Sequence, residues 1–412
     1  MSPSRWLPAL LVGAAIATPA SADPQTFDQT LALASANAPS LQAAALKVEA
    51  ARAALPAAGA LPDPQLKVGL ENVPISGPMV GRFGADEMTM ATIGLMQEVP
   101  NRARRRAEAG LARAEVASTR AEVAVEALDV RLGAALAWID LHYAGRRLSA
   151  LEGVLQTLEP LWDAAPAGVA AGATRPAGAL TPVAQRATLE DRRSELVAAV
   201  GRARAELVRW TADPSPSVTG PPPEPTLDAE RLRAGLDKRP TLLTYASAAR
   251  RAAAEVDLAR AAKRPDWAFE VGYGRRDPMF GDMVSAGVTV RLPLFAARRQ
   301  DPLIAARAVD ARRVEAERET ARRALAASLE ADLADQVMRR EQWLRTRDVV
   351  LPAAKRQADL ETASYAAGLA GLSEVLDAFT RLAEAQLTTI DREAALAREA
   401  VRIDITYGSD AQ

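Results

Sequence analysis

Residues 116–162 carry the pattern that most restricts how this chain can fold. Val116, Val123, Val130, Ala137, Ala144, Leu151 and Leu158 recur every seven positions. Ala127, Ala134, Leu141, Leu148, Leu155 and Trp162 occupy a second position of the same heptad. An apolar stripe sustained this long is the signature of a coiled coil. At ~1.5 Å per residue, a helix starting at Asn101 and covering the stripe is roughly 90 Å long. That is too long for a compact domain. Few aromatic residues, 4% of the chain, agree with long helices.

The same grammar returns near the C-terminus. Leu325, Leu329, Leu333, Val337, Leu344 and Leu351 step by four and seven. After residue 371, Leu372, Val375, Leu376, Phe379, Leu382, Gln386 and Ile390 step by three and four. Between the stripes lies Tyr365-Ala-Ala-Gly368-Leu-Ala-Gly371, so this stretch is the tip of an antiparallel helical hairpin. Gly368 and Gly371 supply backbone freedom where a helix stops. Ser373 is placed to cap the next helix. Glu374 and Asp377, three residues apart, share a face of its first turns. Acids there also complement the helix dipole, without any further role.

The chain begins like an exported protein. Arg5 precedes an apolar run from Leu7 to Ala17, and Thr18-Pro-Ala-Ser-Ala22 has the small-x-small pattern of a cleavage site. The run is too short to span a bilayer. Residues 1–22 are read as a signal peptide. With no cysteine, the chain has neither disulfides nor a lipidated N-terminal cysteine. A formal net charge of −1 gives no footprint for nucleic acid.

The rest of the chain states one order twice. The first repeat, 23–211, has a helix to about Leu55 interrupted at Pro39, then two strands, a long helix, and a shorter helix from Pro182 to about Trp210. A Pro-rich linker covers 212–226. The second repeat, 227–407, has a helix from about Leu227 to Lys263, two strands, a long helix to the tip, and a shorter helix from Ser373 to about Tyr407. Residues 408–412 are a tail. Asp63 with Asp266, Pro100 with Pro293, and Gly178 with Gly368 keep a nearly constant offset, which points to internal duplication. In each half two short helices roughly equal the long one, so stacked end to end they would line it.

The four strands alternate. Leu66, Val68 and Leu70 oppose Gln65, Lys67 and Glu71 in face. Thr89, Ala91, Ile93, Leu95 and Val99 form the apolar face of the second strand. Trp267, Phe269, Val271 and Tyr273 mark the third, and Val284, Ala286, Val288 and Val290 the fourth. A half-buried soluble sheet alternates in this way, and so does an outer-membrane strand. In a bilayer, edges cannot stay unpaired, and about eight strands are needed to close a barrel. If these strands sit in lipid, several chains share one barrel.

Motifs spread over the whole mature chain carry a resemblance. They are Leu61-Pro-Asp-Pro64, Gln97-Glu-Val-Pro100, Leu292-Pro-Leu-Phe295, Arg299-Gln-Asp-Pro302, Tyr365-x-x-Gly368 and Glu374-Val-Leu-Asp-Ala378. In order and spacing the chain resembles the TolC family of outer-membrane channels, and within it the heavy-metal efflux (CzcC/CusC-like) group. The resemblance implies a mainly α fold with membrane β: a long α-helical coiled-coil barrel, plus four strands per chain in a twelve-stranded outer-membrane barrel shared by a homotrimer. It implies a periplasmic adaptor and an inner-membrane RND pump as partners, outer-membrane lipid around the barrel, and no cofactor. Glu374 and Asp377 fall where the family narrows its periplasmic entrance with acidic rings. The hairpin tips, with Gly178, Thr181, Tyr365, Gly368, Gly371 and Ser373, are the expected adaptor contacts. The chain departs from the family at Ala370, where an arginine helps lock the best-known member, and at the first tip, which lacks the tyrosine and acids.

No catalytic constellation is legible, and no metal set. His142, the one histidine, has no cysteine to join it and reads as structural. Met88, Met90 and Met96 share a strand face as adaptable apolar fill. The run Arg102, Arg104, Arg105, Arg106 is either a solvated helix start or a contact with lipid phosphates. The expected function is a passive exit duct for heavy-metal efflux. A duct for type I protein secretion and a periplasmic scaffold without a pore are the alternatives.

Overall fold

The structure is a computed structural model of the 412-residue chain and describes residues 24–80, 87–170 and 180–408. The signal-peptide reading of 1–22 and the first hairpin tip at Gly178 lie outside the described residues. In chain order the elements are α1 (Phe27–Asn37), α2 (Pro39–Ala54), β1 (Gln65–Glu71), β2 (Met90–Val99), α3 (Arg102–Ala170) and α4 (Leu180–Thr211). Then come α5 (Ala229–Gly235), α6 (Pro240–Ala261), β3 (Asp266–Arg275), β4 (Met283–Arg291), α7 (Ala296–Arg345), α8 (Leu351–Ala366) and α9 (Leu372–Tyr407). They form two compact units.

Proline sets several of the breaks. A proline has no N–H to donate and is tolerated in the first turn of a helix. Pro39 therefore opens α2 after α1 has ended, and Pro240 opens α6 in the same way. The helix expected over 227–263 is thus two helices, with a 3₁₀ turn at Leu236–Lys238 between them. Asp228 caps α5 by accepting from the backbone N–H of Glu230 and Arg231. The long helix expected to run unbroken to the tip widens into a π turn at Thr346–Val350. Pro352 follows one residue later, and its missing N–H leaves the preceding turn to find other partners.

One unit comprises the described parts of Met1–Asn37, Gly133–Glu224 and Arg340–Arg398. One core joins Leu151, Val154, Leu158 and Trp162 of α3 to Leu189 and Leu196 of α4, and to Leu376, Ala383 and Leu387 of α9. Full burial of one such leucine stabilises by about 1.5–3 kcal/mol. Ala358 of α8 packs on Ala378 and Leu382 of α9. Where α3 is buried on several sides, Trp138 is fully enclosed and its indole N–H donates to the Gln25 carbonyl at 3.1 Å. The Pro-rich stretch is tied to the start of the chain. Gln25 N–H donates to Ser217 O, and Thr219 N–H donates to Gln25 O.

The other unit comprises Ala38–Leu132, Pro225–Arg339 and the described part of Glu399–Gln412. Leu232 and Leu236 pack there with Leu329, Ile403 and Tyr407. The Tyr407 hydroxyl donates to Asp332 at 2.7 Å. Buried Arg239 donates to the carbonyls of Ile405 and Gly408, the end of α9, where a cation suits the helix dipole. Val337, placed on the apolar stripe by its spacing, is 61% exposed.

This unit also holds the sheet, ordered β1-β2-β3-β4 and antiparallel throughout. Its register carries Val68 to Ile93, Ile93 to Tyr273, and Tyr273 to Val284. Directly paired residues share a face, so the four alternations read from the sequence add up to one apolar surface.

Candidate functional site

The first candidate region is the sheet. On one face stand Leu66, Val68, Ile93, Leu95, Phe269, Val271 and Val288, all exposed, Val68 at 74%. This is a continuous apolar surface far beyond the scattered apolar residues of an ordinary protein exterior. The opposite face is polar or small. Lys67 and Glu270 form a 3.0 Å ion pair across β2. Gly94 pairs with Gly272 on the same face. A side chain at Gly272 would press on the Ser285 hydroxyl at 2.7 Å. Met90 and Met96 belong to this polar face, in register with Glu71 and Gln65. Met88 precedes the strand.

A hydrogen-bonded knot holds the sheet to its helices where the strands stop. Asn101 donates to Asp266 Oδ1 from both its backbone N–H and its side-chain amide, each at 2.8 Å. Its own Oδ1 accepts from Arg104 N–H, which caps α3. Arg104 adds an ion pair to Asp266 at 3.2 Å. The sequence reading used Asp266 as a landmark without finding this partner. An Asn directly after a strand-ending proline was the available signal.

The second candidate region is the hairpin tip between α8 and α9. The helix α8 ends in a Schellman arrangement. Leu369 N–H donates to Ser364 O at 2.8 Å, and Gly368 N–H donates to Tyr365 O at 2.9 Å. Gly368 has φ +73°, a conformation that favours glycine. The need at Gly371 is different, since a Cβ there would meet the Glu374 carboxylate at 2.6 Å. The helix α9 starts at Leu372, so Ser373 is its second residue and not the cap expected from the sequence. The cap position falls on Gly371, the residue before Leu372.

Glu374 and Asp377 are both exposed, while Val375, Leu376 and Ala378 beside them on α9 are buried. Asp377 Oδ1 accepts from Gln185 Nε2 of α4 at 2.5 Å. Gln185 escaped the sequence reading, because a single glutamine on a helix carries no pattern. Thr181 is the second residue of α4 and exposed, and Tyr365 is half-buried in the last turn of α8.

His142 stacks on Trp138 with ring centroids 5.2 Å apart. Burial, and then the nearby Arg146 guanidinium, push its pKa below the usual value, so the neutral ring is favoured. The neighbouring Tyr143 hydroxyl donates to Glu393 at 3.2 Å. Among the described residues no group of three or more His, Cys, Asp or Glu is arranged to hold a metal ion. Among them, too, no helix is long and apolar enough to cross a membrane.

Known proteins share this architecture. The model of the outer membrane efflux protein family matches residues 30–210 and 232–409. No curated protein sequence matches the chain. Among solved structures, the CmeC outer membrane channel of Campylobacter jejuni superposes with a TM-score of 0.77 at 14% identity, covering 93% of this chain and 85% of that one. CusC gives 0.77 at 16% identity, covering 93% and 92%. The outer membrane protein VceC of Vibrio cholerae gives 0.76 at 17%, covering 94% and 97%. The chain thus has the mainly helical fold with one four-stranded antiparallel sheet that these channels have.

Proposed function

We propose that this chain, which belongs to the outer membrane efflux protein family, is the outer-membrane exit duct of a tripartite export system, formed by three copies around one axis. The sheet carries this reading. It exposes one apolar face, and among the described residues its outer strands β1 and β4 each lack a partner on one side. Lipid does not tolerate open edges, and four strands fall short of the roughly eight that close a barrel. Three such sheets joined edge to edge make a closed twelve-stranded barrel with the apolar faces toward lipid. The polar face with Lys67 and Glu270 then lines water.

In this reading the helices extend into the periplasm, and the hairpin tips meet an adaptor protein. Thr181, Tyr365, Gly368, Gly371 and Ser373, together with Gly178, are the contacts. An inner-membrane RND pump supplies the energy, and the duct itself is passive and not an enzyme. Glu374 and Asp377 form acidic rings at the periplasmic entrance. Heavy-metal cations as cargo rest on the motif resemblance and on these carboxylates. Two structural repeats, 23–211 and 227–407, joined by the linker 212–226 and followed by the tail 408–412, complete the proposal. The family's match in two successive segments and the same element order in each half support it.

The test is assembly. Purified from the outer membrane, the chain should run as a detergent-stable trimer and conduct ions as single channels in a planar bilayer. A monodisperse soluble monomer of the mature chain would remove both barrel and duct. That outcome would leave the soluble periplasmic scaffold reading, whereas a membrane-bound trimer without conductance would remove the duct alone.

A further inference from the structure

We propose that a concavity at the strand-stop end of the sheet binds the phosphate of an anionic phospholipid headgroup. The proposal rests on the reading of the sheet as an outer-membrane structure. The helix α3 opens with Arg102, Arg104, Arg105 and Arg106 and has no acid in its first turn. The helix α7, which follows the other strand stop, also has no acid there and carries Arg298 and Arg299. Cations at a helix N-terminus oppose the helix dipole, so this placement destabilises the helix unless an anion offsets it.

Among the described residues that offset is supplied to Arg104 alone of the four, by Glu108 and Asp266. Among the described residues, Arg102, Arg105, Arg106 and Arg113 have no carboxylate partner, in a chain otherwise rich in ion pairs. These four line one concavity, and no carboxylate lines it with them. Its remaining lining is apolar or small, with Val99 and Pro100 at the end of β2 and Ala58. The site is also built. Gly59, at φ +75°, passes so close to α3 that a Cβ would sit 2.3 Å from Arg105 O. Its carbonyl accepts from Arg105 Nε at 2.8 Å, which fixes one guanidinium in place.

A guanidinium fork matches phosphate oxygens, and the apolar lip suits the glycerol and acyl part that a free ion lacks. A second copy of the chain is a poorer occupant. Of the carboxylates beside the strand stops, Glu98, Glu108, Asp266 and Asp301 are already paired within the chain, which leaves Asp63. A homotrimer therefore brings few spare acids to this level.

The delipidated assembly in neutral detergent is titrated with short-chain phosphatidylglycerol, with phosphatidylcholine and with inorganic phosphate. Native mass spectrometry and thermal melting give the readout. The assembly should prefer phosphatidylglycerol, and salt should weaken that preference. The combined Arg102→Gln, Arg105→Gln, Arg106→Gln variant should lose the preference by roughly tenfold or more, since each basic residue at an anionic surface contributes about fivefold. The corresponding lysine variant should keep most of it. A control on α4, Arg186→Gln with Arg192→Gln and Arg209→Gln, should keep all of it. Equal binding of both lipids, a preference that survives the glutamine changes, or competition by inorganic phosphate as strong as by the lipid would each overturn the site. A glutamine variant that falls into monomers while the unaltered chain stays assembled would place these arginines against a neighbouring subunit and overturn it as well. A chain that enters no lipid, zwitterionic or anionic, fails earlier, on the membrane reading itself.

Discussion

Gln185 Nε2 donates to Asp377 Oδ1 at 2.5 Å, joining the second turns of α4 and α9. The bond makes the two tip acids unequal. Asp377 has a partner on another helix, whereas the Glu374 carboxylate lies close to Gly371, on its own hairpin. Asp377→Ala should cost about 0.5–1.5 kcal/mol, nearer the lower end because the site is exposed. Asp377→Asn retains an acceptor oxygen and should cost almost nothing. Thermal unfolding of the two variants compares them. Equal losses would mean the bond does not hold the helices together.

The sheet register makes a sharp contrast between adjacent residues. Val288 pairs with Phe269 on the apolar face, and Thr289 pairs with Ala268 on the other. A charge on a lipid-facing barrel position costs roughly 2–4 kcal/mol near mid-membrane. Val288→Arg should therefore reduce the amount of assembled trimer, and Thr289→Arg should be tolerated. Quantitative membrane extraction measures both. Equal yields would reverse the assignment of faces.

The two tip glycines should respond differently. At Gly368 the positive φ strains any side chain, so Gly368→Ala should destabilise by about 1–2 kcal/mol. At Gly371 the obstacle is the end of a flexible glutamate. Gly371→Ala should barely move the unfolding temperature, because Glu374 can swing aside. A loss at Gly371 as large as at Gly368 would show that the turn cannot accommodate that movement.

These contrasts mark what the sequence made legible. Period-two alternation located all four strands, because a sheet with one apolar face must alternate. Heptad spacing found Leu151, Leu158 and Leu376, each almost fully buried. It also placed Val337 on the stripe, yet that residue is exposed, since periodicity names a face without saying how far along the helix a neighbour covers it. Trp138, Ile139 and Tyr143 are buried off the stripe, where α3 has neighbours on several sides, and single-face periodicity has no term for that. Pro39 and Pro240 each open a helix, yet only the break at Pro39 is among the expectations from sequence, although the physics is the same. Asn101 is marked by its place after Pro100, but its pairing with Asp266, like that of Gln185 with Asp377, leaves no pattern, because each depends on a fold that brings distant residues together.

The depressed pKa of His142 sets a pH dependence. Its folded value lies below its unfolded one, so the unfolded chain binds the proton first. The stability this provides is complete above the unfolded pKa, about 6.5, and is lost as pH falls toward the folded value. His142→Gln should flatten the decline in melting temperature between about pH 7.5 and 5.5. The slopes are compared, because glutamine also loses the stacking on Trp138. Parallel slopes would mean that His142 does not contribute to acid sensitivity.

The last expectation concerns ions at the tip. Under three-fold symmetry, Glu374 and Asp377 each appear three times around the axis. Six carboxylates near a narrow opening create a negative potential that concentrates cations and repels anions. The pore should be cation-selective, with divalent ions lingering at the ring and slowing conduction. Glu374→Gln with Asp377→Asn keeps size and polarity, and the asparagine oxygen can still accept from Gln185. Charge is the property removed. Selectivity should fall and divalent block should weaken, while trimer stability hardly changes. If the acids serve the helix dipole alone, the pattern inverts: stability drops by about 0.3–1 kcal/mol per residue and conductance stays as it was. Planar-bilayer recordings beside thermal melts of the same double variant separate the two. An unchanged cation preference with an unchanged divalent block would put the selective entrance elsewhere in the chain.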